Sequence, residues 1–345
     1  MPATQKALFL DKKFGNFVSG ETEIYKPGPG EVLVKIKATS LNPVDWKIKK
    51  YGVFIENFPA ILGTDLAGDV EEVGEGVTEF KKGDPVFTQG QFVNRFATFQ
   101  QYAIAIASTL ARIPPNVTYD QAASLPVALT VTYVGLYNQN PHGVGLAPPV
   151  SEETQGKYAG TPIVVLGGAS SVGQLVLQFA KLSGFSPIIT TASVKHTEFL
   201  KSLGATHVLD RNLPAGDLIT EVKKIAGKPI DIVYDSISLA DTQHVGLDLL
   251  ASGGQLVTVL QPTGKVPEDK TVIAALGIPR LPHNIELLET LYHDKISGFL
   301  EKGIIKANNV EVLPGGLAGI VDGLARMEAD KVSGLKLVAR PNETA

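Results

Sequence analysis

The stretch Ile163–Gly173, which reads IVVLGGASSVG, decides the fold of this chain. Its first four residues, Ile163 to Leu166, are continuously apolar, as is typical of a short strand buried on both faces of a parallel sheet. A glycine-rich turn follows, and the pattern after it predicts a helix that begins near Ser171 and covers residues 174–183. A strand, a glycine turn and a helix in this order indicate a binding site for phosphate, because a helix N-terminus has free N–H groups.

The turn matches the pattern G-x-G-x-x-G, with Gly168, Ser170 and Gly173 at its three glycine positions. We expect Gly168 to allow the tight turn and Gly173 to let the helix approach the strand. Ser170 is small enough to let backbone N–H groups reach a pyrophosphate, and its hydroxyl adds a donor. An ordinary strand–helix turn is the alternative, which the repeated strand–helix units that follow disfavour. The predicted turn residues are Gly168, Ala169, Ser170, Ser171, Val172 and Gly173.

The end of the second predicted strand distinguishes between the two nicotinamide cofactors. An NAD site usually presents Asp or Glu about 20 residues after the glycine turn, to hold the ribose 2′-hydroxyl. Residues 190–196 contain no acid, and instead provide hydroxyls at Thr191 and Ser193 and a cation at Lys195. These groups suit a 2′-phosphate and therefore predict NADPH, although Ser193 could instead cap a helix and Lys195 could be a surface lysine. Two further cofactor residues are predicted: Arg211 after the third strand and Leu260 at the end of the fifth.

The pattern of apolar residues divides the chain into three parts. Residues 1–126 are predicted to form a β-rich domain, and residues 127–283 a doubly wound parallel sheet of the α/β class. Residues 284–345 are expected to return to the first domain. The strands predicted for the parallel sheet are 163–166, 187–191, 206–209, 230–234, 255–260 and 271–276. Other predicted elements are strands at 31–38, 310–313 and 334–338 and helices at 126–137, 174–183, 196–203, 218–226, 284–302 and 317–329.

Composition excludes several classes of function. The 345 residues carry a net charge of −4 and no long run of Lys or Arg, so no nucleic-acid partner is expected. There is no cysteine, which excludes disulfides, thiolate catalysis and thiolate-bound zinc. The N-terminus lacks the pattern of a signal peptide, and no apolar stretch approaches the roughly 20 residues of a membrane helix. We therefore expect a cytoplasmic protein without a membrane partner.

Several short motifs, taken in order, resemble the medium-chain dehydrogenase/reductase superfamily over essentially the whole chain. They are residues 41–47 (LNPVDWK), 63–68 (GTDLAG), 74–77 (GEGV), 82–87 (KGDPVF), the glycine turn and 332–338 (VSGLKLV). Each motif alone is weak. The resemblance implies a GroES-like, β-rich catalytic domain and a Rossmann domain that binds the cofactor.

Two departures from the superfamily pattern concern zinc. Zinc alcohol dehydrogenases of this superfamily place a Cys ligand where this chain has Asn42, and a Gly-His-Glu motif where it has Gly63, Thr64 and Asp65. The six His residues also show no spacing typical of metal ligands. The chain therefore resembles the zinc-free branch, which includes quinone oxidoreductases, enoyl reductases and fungal trans-acting enoyl reductases, and no metal is expected.

The resemblance implies hydride transfer from NADPH to a conjugated C=C bond of an enone or enoyl thioester. It places a pocket around Asn42, Lys47, Tyr51 and Thr130. Asn42 would face the reacting centre, Lys47 would hold an enolate or an anionic group, Tyr51 is a candidate acid, and Thr130 would lie against the nicotinamide. The alternatives are a turn asparagine, an exposed lysine and a core or rim tyrosine.

Other functions remain open from the sequence. The acceptor could be a quinone, or the chain could be a non-catalytic, NADPH-binding accessory protein of a biosynthetic complex. The predicted partners are a small conjugated carbonyl or quinone and, as a further candidate, the acyl carrier of a polyketide synthase. A monomer and a homodimer paired through the strand at 271–276 are both compatible with the sequence.

Overall fold

A computed structural model describes residues 3–345, which divide into two compact units. Unit 1 comprises the chain up to Val127 together with Glu289–Gly303 and Ala307–Ala345. Unit 2 comprises Ala128–Leu288 and Ile304–Lys306. Residues 284–288 therefore belong to unit 2, whereas the sequence predicted that they belong to the segment that returns to the first domain.

The strands are numbered in chain order. They are β1 (Thr4–Leu10), β2 (Phe17–Glu23), β3 (Glu31–Ser40), β4 (Ala60–Ile61), β5 (Asp65–Val73), β6 (Pro85–Gln89), β7 (Tyr102–Ile106), β8 (Ala111–Arg112), β9 (Ile163–Leu166), β10 (Ile188–Ala192), β11 (His207–Asp210), β12 (Ile232–Asp235), β13 (Gln255–Thr258), β14 (Thr271–Ala274), β15 (Val310–Val312) and β16 (Lys336–Ala339).

The α-helices are numbered in the same way. They are α1 (Pro43–Tyr51), α2 (Tyr119–Ala123), α3 (Pro126–Tyr137), α4 (Ser171–Leu182), α5 (Thr197–Leu203), α6 (Ala215–Ala226), α7 (Ala240–Leu249), α8 (Ile285–Glu289), α9 (Ile296–Glu301) and α10 (Gly319–Glu328). Short 3₁₀ turns cover Ala107–Thr109, Val194–His196, Gly316–Ala318 and Pro341–Glu343, and Thr290–Lys295 is a π-helix.

Unit 1 is built on two sheets. The larger sheet has the order β15-β16-β3-β5-β6-β8, with β7 also paired to β3, and the smaller has the order β2-β1-β4. The C-terminal strand β16 pairs antiparallel with the end of β3, where Val338 is opposite Ser40. Apolar residues of the N-terminal strands and of α10 form one buried cluster, which includes Leu10, Leu41 and Leu324. The C-terminal segment is thus an integral part of the core of unit 1.

Unit 2 contains one six-stranded sheet with the order β11-β10-β9-β12-β13-β14, in which every pair is parallel. In sequence order of the strands this is 3-2-1-4-5-6, the arrangement of the doubly wound dinucleotide-binding fold. All four residues of β9 are buried, as expected for a central strand covered on both faces. The predicted parallel sheet is confirmed, with β14 at one edge.

Helix α4 starts at Ser171, as predicted, and Ser170 caps its first turn. Other predicted elements differ from those observed. The predicted helix over 284–302 consists of α8, the π-helix and α9. Strand β16 begins only at Lys336, since Gly334 adopts a left-handed backbone with φ 73°.

The helices described between residues 3 and 345 include none that is long and apolar enough to cross a membrane.

Candidate functional site

The glycine turn after β9 is shaped by close backbone contacts in unit 2. Gly167 has a φ of 80° and donates its N–H to Thr191 Oγ1 at 3.1 Å. A Cβ on Gly168 would lie 2.2 Å from Thr190 Oγ1, and one on Gly173 would lie 2.4 Å from the carbonyl oxygen of Gly167. The left-handed residue of the turn is therefore Gly167, which was not predicted, and Gly168 is required by its close approach to β10.

Ser170 holds the first turn of α4. Its hydroxyl accepts from Gly173 N at 3.0 Å and lies 3.0 Å from Ser236 Oγ, which in turn donates to Leu166 O at 2.6 Å. The Ser170 hydroxyl thus caps α4, and its role as a phosphate donor stays a prediction. The backbone N–H groups at the start of α4, Ser171 and Val172, have no acceptor within the helix.

The arrangement fits a dinucleotide. Gly168 and Gly173 let the turn pack tightly against β10 and against its own backbone. The positive end of the α4 dipole lies at the same turn and favours an anion there. Because every strand of the sheet is parallel, the residues that follow β9, β10, β11, β12 and β13 share its carboxyl edge. These residues are Gly167, Ser193, Arg211, Ser236 and, two positions after β13, Leu260.

Residues 188–196, at and after β10, contain no acid, and Asp210 of β11, which lies opposite Ala192, accepts a hydrogen bond from Asn212 N. Ser193 precedes the 3₁₀ turn Val194–His196, and its side chain makes no capping hydrogen bond. Lys195 and Arg211 are exposed. The pKa of His196 lies below its ordinary value because of burial and because of the positive charges of Lys195 and Arg211. We call Lys195, Arg211 and the adjacent Ser193 and His196 the cationic cluster; its positive charge comes from Lys195 and Arg211, and His196 was not predicted from the sequence.

Thr191 has a different environment from Ser193. It is buried, and its hydroxyl oxygen accepts from Gly167 N. The hydroxyl of Thr191 therefore stabilises the glycine turn and is not part of the cationic cluster.

Helix α3 lies beside the cofactor turn in unit 2. Thr132 Oγ1 donates to the carbonyl oxygen of Val172 at 3.3 Å, and Tyr234 Oη donates to the carbonyl oxygen of Val131 at 2.9 Å. Thr130, the predicted neighbour of the nicotinamide, is fully buried in the same helix. The sequence analysis identified Thr130 but not Thr132, whose only signal is its place on the same apolar helix.

In unit 1, Asn42 belongs to a buried polar cluster centred on Asp65. Asn42 Nδ2 donates to Asp65 Oδ2 at 2.8 Å, and Lys336 Nζ donates to Asn42 Oδ1 at 2.5 Å. Lys336 Nζ also lies 3.2 Å from Asp65 Oδ2, and Ser40 Oγ donates to the same oxygen at 2.5 Å. The other carboxylate oxygen, Oδ1, accepts from Val127 N at 2.7 Å. We call these residues the Asp65 cluster.

Asp45 extends the cluster at the first turn of α1. Its Oδ2 accepts from Asn42 N at 2.8 Å, whereas Oδ1 has no hydrogen-bond partner among the described residues. The pKa of Asp45 is raised to about 7, mainly by burial and also by the negative charge of Asp65, against the lowering effect of the hydrogen bond from Asn42 N. Lys336 was not predicted as a site residue; the available signal is a lone cation within the predicted strand 334–338.

The two other predicted residues of the pocket lie on α1. Lys47 is half-buried, its Nζ lies 5.6 Å from the centre of the Trp46 ring, and burial lowers its pKa. Tyr51 is the last residue of α1 and is exposed, with its ring 6.1 Å from that of Trp46. Within the part of the chain that the structure describes, neither side chain is hydrogen-bonded to the Asp65 cluster.

Within residues 3–345, no group of three or more His, Cys, Asp or Glu side chains is placed to hold a metal ion. The absence of zinc remains a prediction.

We expect Asp45→Asn to flatten the dependence of stability on pH. Asp45 titrates near pH 7 in the folded protein and near its ordinary value of 3.8 when unfolded. Between these values the folded state binds more protons, so the free energy of unfolding falls as pH rises from about 4 to about 7. Denaturant titrations across this range should show that slope in the wild type and a smaller one in the variant. The exposed Asp217→Asn should behave as wild type, and an unchanged slope in Asp45→Asn would contradict the assignment.

We expect Lys336→Met to destabilise the protein by about 3–5 kcal/mol, because it leaves the buried carboxylate of Asp65 without its cation. The double variant Lys336→Met with Asp65→Asn should recover part of this loss, since the uncompensated charge is then gone. Urea unfolding of the four proteins gives the coupling energy. Additive losses would show that the two side chains do not interact.

Comparison with known proteins agrees with this architecture. Residues 28–115 match the family model of the alcohol dehydrogenase GroES-like domain, and residues 171–278 match that of the zinc-binding dehydrogenase domain. A trans-enoyl reductase of Fusarium sp. is 31% identical over 89% of this chain and 90% of its own, and one of Aspergillus japonicus is 30% identical over 89% of each.

Among solved structures, the quinone oxidoreductase of Pseudomonas syringae pv. Tomato is 25% identical, with a TM-score of 0.77 over 97% of this chain and 99% of its own. The predicted GroES-like and Rossmann architecture is confirmed. Oxidoreductases of this type bind a nicotinamide cofactor. The chain belongs to the medium-chain dehydrogenase/reductase superfamily of oxidoreductases.

Proposed function

We propose that this oxidoreductase uses NADPH to reduce a C=C bond conjugated to a carbonyl, in an enone or an enoyl thioester. The observation that carries the choice of cofactor is the cationic cluster at the end of β10. It provides a hydroxyl at Ser193 and cations at Lys195 and Arg211 where an NAD site carries an acid. The similarity to trans-enoyl reductases supports the choice of acceptor.

The proposed acceptor needs little from the protein beyond orientation and hydrogen-bond donors. The bound cofactor supplies a hydride, which adds to the β-carbon of the acceptor. Negative charge then develops on the carbonyl oxygen, four atoms along the conjugated system. Fixed N–H or O–H donors directed at that oxygen are sufficient to stabilise it. Reduction of an isolated carbonyl would instead require a strong Lewis acid or a good proton donor.

Asn42 is proposed as such a donor. Lys336 Nζ donates a hydrogen bond to the amide oxygen of Asn42, and Asp65 accepts one from its amide nitrogen. These two bonds fix the orientation of the amide. One N–H of the amide then remains for an acceptor. The positive charge at the amide oxygen also polarises the group and makes its N–H a stronger donor.

The remaining candidates have subsidiary proposed roles. Lys47 would stabilise the enolate oxygen or hold an anionic group, and its lowered pKa eases proton release. Thr130 would contact the nicotinamide from α3. Tyr51 is a candidate acid, although its ring is largely exposed. Solvent water is the proposed source of the proton for the enolate carbon.

We expect Lys195→Ala to weaken NADPH binding by about tenfold or more, because a hydrogen bond between charged groups contributes roughly 1.5–3 kcal/mol. NADH binding should change little, since NADH lacks the 2′-phosphate. Fluorescence titration with both cofactors measures the effect, and Lys201→Ala on the exposed face of α5 is the matched control. Equal losses for NADPH and NADH would remove Lys195 from phosphate recognition.

The acceptor is tested by NADPH oxidation against enones, quinones and a pantetheine-linked enoyl thioester. We expect turnover with at least one conjugated C=C acceptor, unchanged by a zinc chelator. Preference for quinones would establish the second candidate function, which the similarity to a quinone oxidoreductase structure favours. Activity with the thioester alone would indicate a carrier-bound substrate. NADPH binding without turnover of any acceptor would reject both enzymatic functions in favour of an accessory protein.

A further inference from the structure

Unit 1 exposes two phenylalanine rings on neighbouring loops. Phe14 lies in the turn between β1 and β2 and is 63% exposed, and Phe54 lies in the loop after α1 and is 71% exposed. Tyr51, at the end of α1, is 55% exposed. Large aromatic side chains that are this exposed and close together are typical of a binding surface rather than of a solvated one.

Both phenylalanines have a backbone conformation that favours glycine. Phe14 has a φ of 58° at the third position of a turn closed by Gly15 N donating to Lys12 O at 2.9 Å. Phe54 has a φ of 66° at the centre of a three-residue turn closed by Ile55 N donating to Val53 O. Positive φ is strained for a bulky residue and costs glycine nothing. Two strained turns that each expose a phenylalanine ring indicate that the rings take part in an interaction.

The two loops form one continuous surface. A Cβ on Gly52 would lie 2.4 Å from Lys13 Cε and 2.8 Å from Phe14 Cε1, so the first turn packs directly against the end of α1. The ammonium of Lys49 lies 5.7 Å from the centre of the Phe17 ring. We call residues 11–17 and 46–56 together the lysine–phenylalanine surface.

This surface is basic in a chain with a net charge of −4. Its two segments carry five lysines against two carboxylates, Asp11 and Glu56. Outside the segments, Glu328 pairs with Lys50 at 2.9 Å, so one of the cations is compensated. The lysines are Lys12, Lys13, Lys47, Lys49 and Lys50, and several of them extend over aromatic rings of the same surface.

We propose that the lysine–phenylalanine surface binds a lipid bilayer that carries anionic head groups. The rings of Phe14 and Phe54 enter the boundary between head groups and acyl chains, and the lysines contact the lipid phosphates and carboxylates. Lysines beside exposed aromatic side chains are typical of proteins that lie on membranes.

The composition of the surface distinguishes a membrane from an acidic protein partner. Every cation of the two segments is Lys and none is Arg, whereas protein–protein interfaces are enriched in Arg and depleted in Lys. The proposal departs from the expectation of no membrane partner, because that expectation rested on the lack of a spanning segment. The proposal does not rest on the proposed reductase activity, although Lys47 and Tyr51 belong both to this surface and to the candidate pocket residues.

The test is co-sedimentation of the full chain with vesicles of phosphatidylcholine alone and with vesicles that also contain phosphatidylserine. We expect binding to the anionic vesicles only, and weaker binding as salt increases. The double variant Phe14→Gly with Phe54→Gly should reduce the partition coefficient by about tenfold or more. Glycine relaxes both turns, so the melting temperature of this variant should stay the same or rise.

Matched variants separate charge from apolar contact. Lys12→Gln with Lys13→Gln should weaken binding and reduce its salt dependence, whereas Lys223→Gln with Lys265→Gln, two exposed lysines of unit 2, should not. Leu239→Ser removes an equally exposed apolar side chain of unit 2 and should also leave binding unchanged. Lack of binding to anionic vesicles, or an equal loss in the control variants, would overturn the proposal. Phenylalanine-dependent binding to an acidic apolar peptide without vesicle binding would overturn it in favour of a protein partner.

Discussion

The buried carboxylate of Asp65 constrains more of unit 1 than any other single group described above. A buried negative charge is costly unless donors surround it, and here the donors come from four separate places. They are the end of β3, the start of α1, the start of α3 and strand β16. Satisfying one carboxylate therefore fixes the relative positions of these elements, including the C-terminal strand. The negative charge also lies at the positive end of the α3 dipole.

Unit 2 depends on a simpler constraint, the common direction of its strands. Six parallel strands place their carboxyl ends along one edge, so residues far apart in the chain converge without long-range polar contacts. The glycine turn, Ser236 and the cationic cluster meet there because each follows a strand. The hydroxyls of Ser170, Ser236 and Thr191 then hold the turn in one conformation.

The site of unit 2 follows from local patterns and the Asp65 cluster from long-range contacts, and this difference explains which features could be predicted from the sequence. The Rossmann strands, the glycine turn and the acid-free end of β10 are local patterns, and the parallel order follows from their alternation. The Asp65 cluster is not local: Lys336 and Asn42 are 294 residues apart, and no periodicity links them. The capping role of Ser170 and the left-handed Gly167 were also missed, because the motif identifies the turn without assigning its hydrogen bonds. The exposure of Phe14 and Phe54 was not predicted either, because the positive φ angles of their turns are not evident from composition.

The Asp65 cluster also bears on the class of acceptor. Asn42 stands where zinc enzymes of the superfamily have a cysteine ligand, and its amide oxygen is held by an ammonium group. At the proposed reacting centre, an amide held in this way can act only as a donor. A fixed donor is a weaker electrophile than a metal ion, but it is matched to an oxygen whose charge is spread over a conjugated system. On this argument, the proposed preference for a conjugated acceptor follows from a lysine on the last strand, whereas the cofactor turn is compatible with any acceptor.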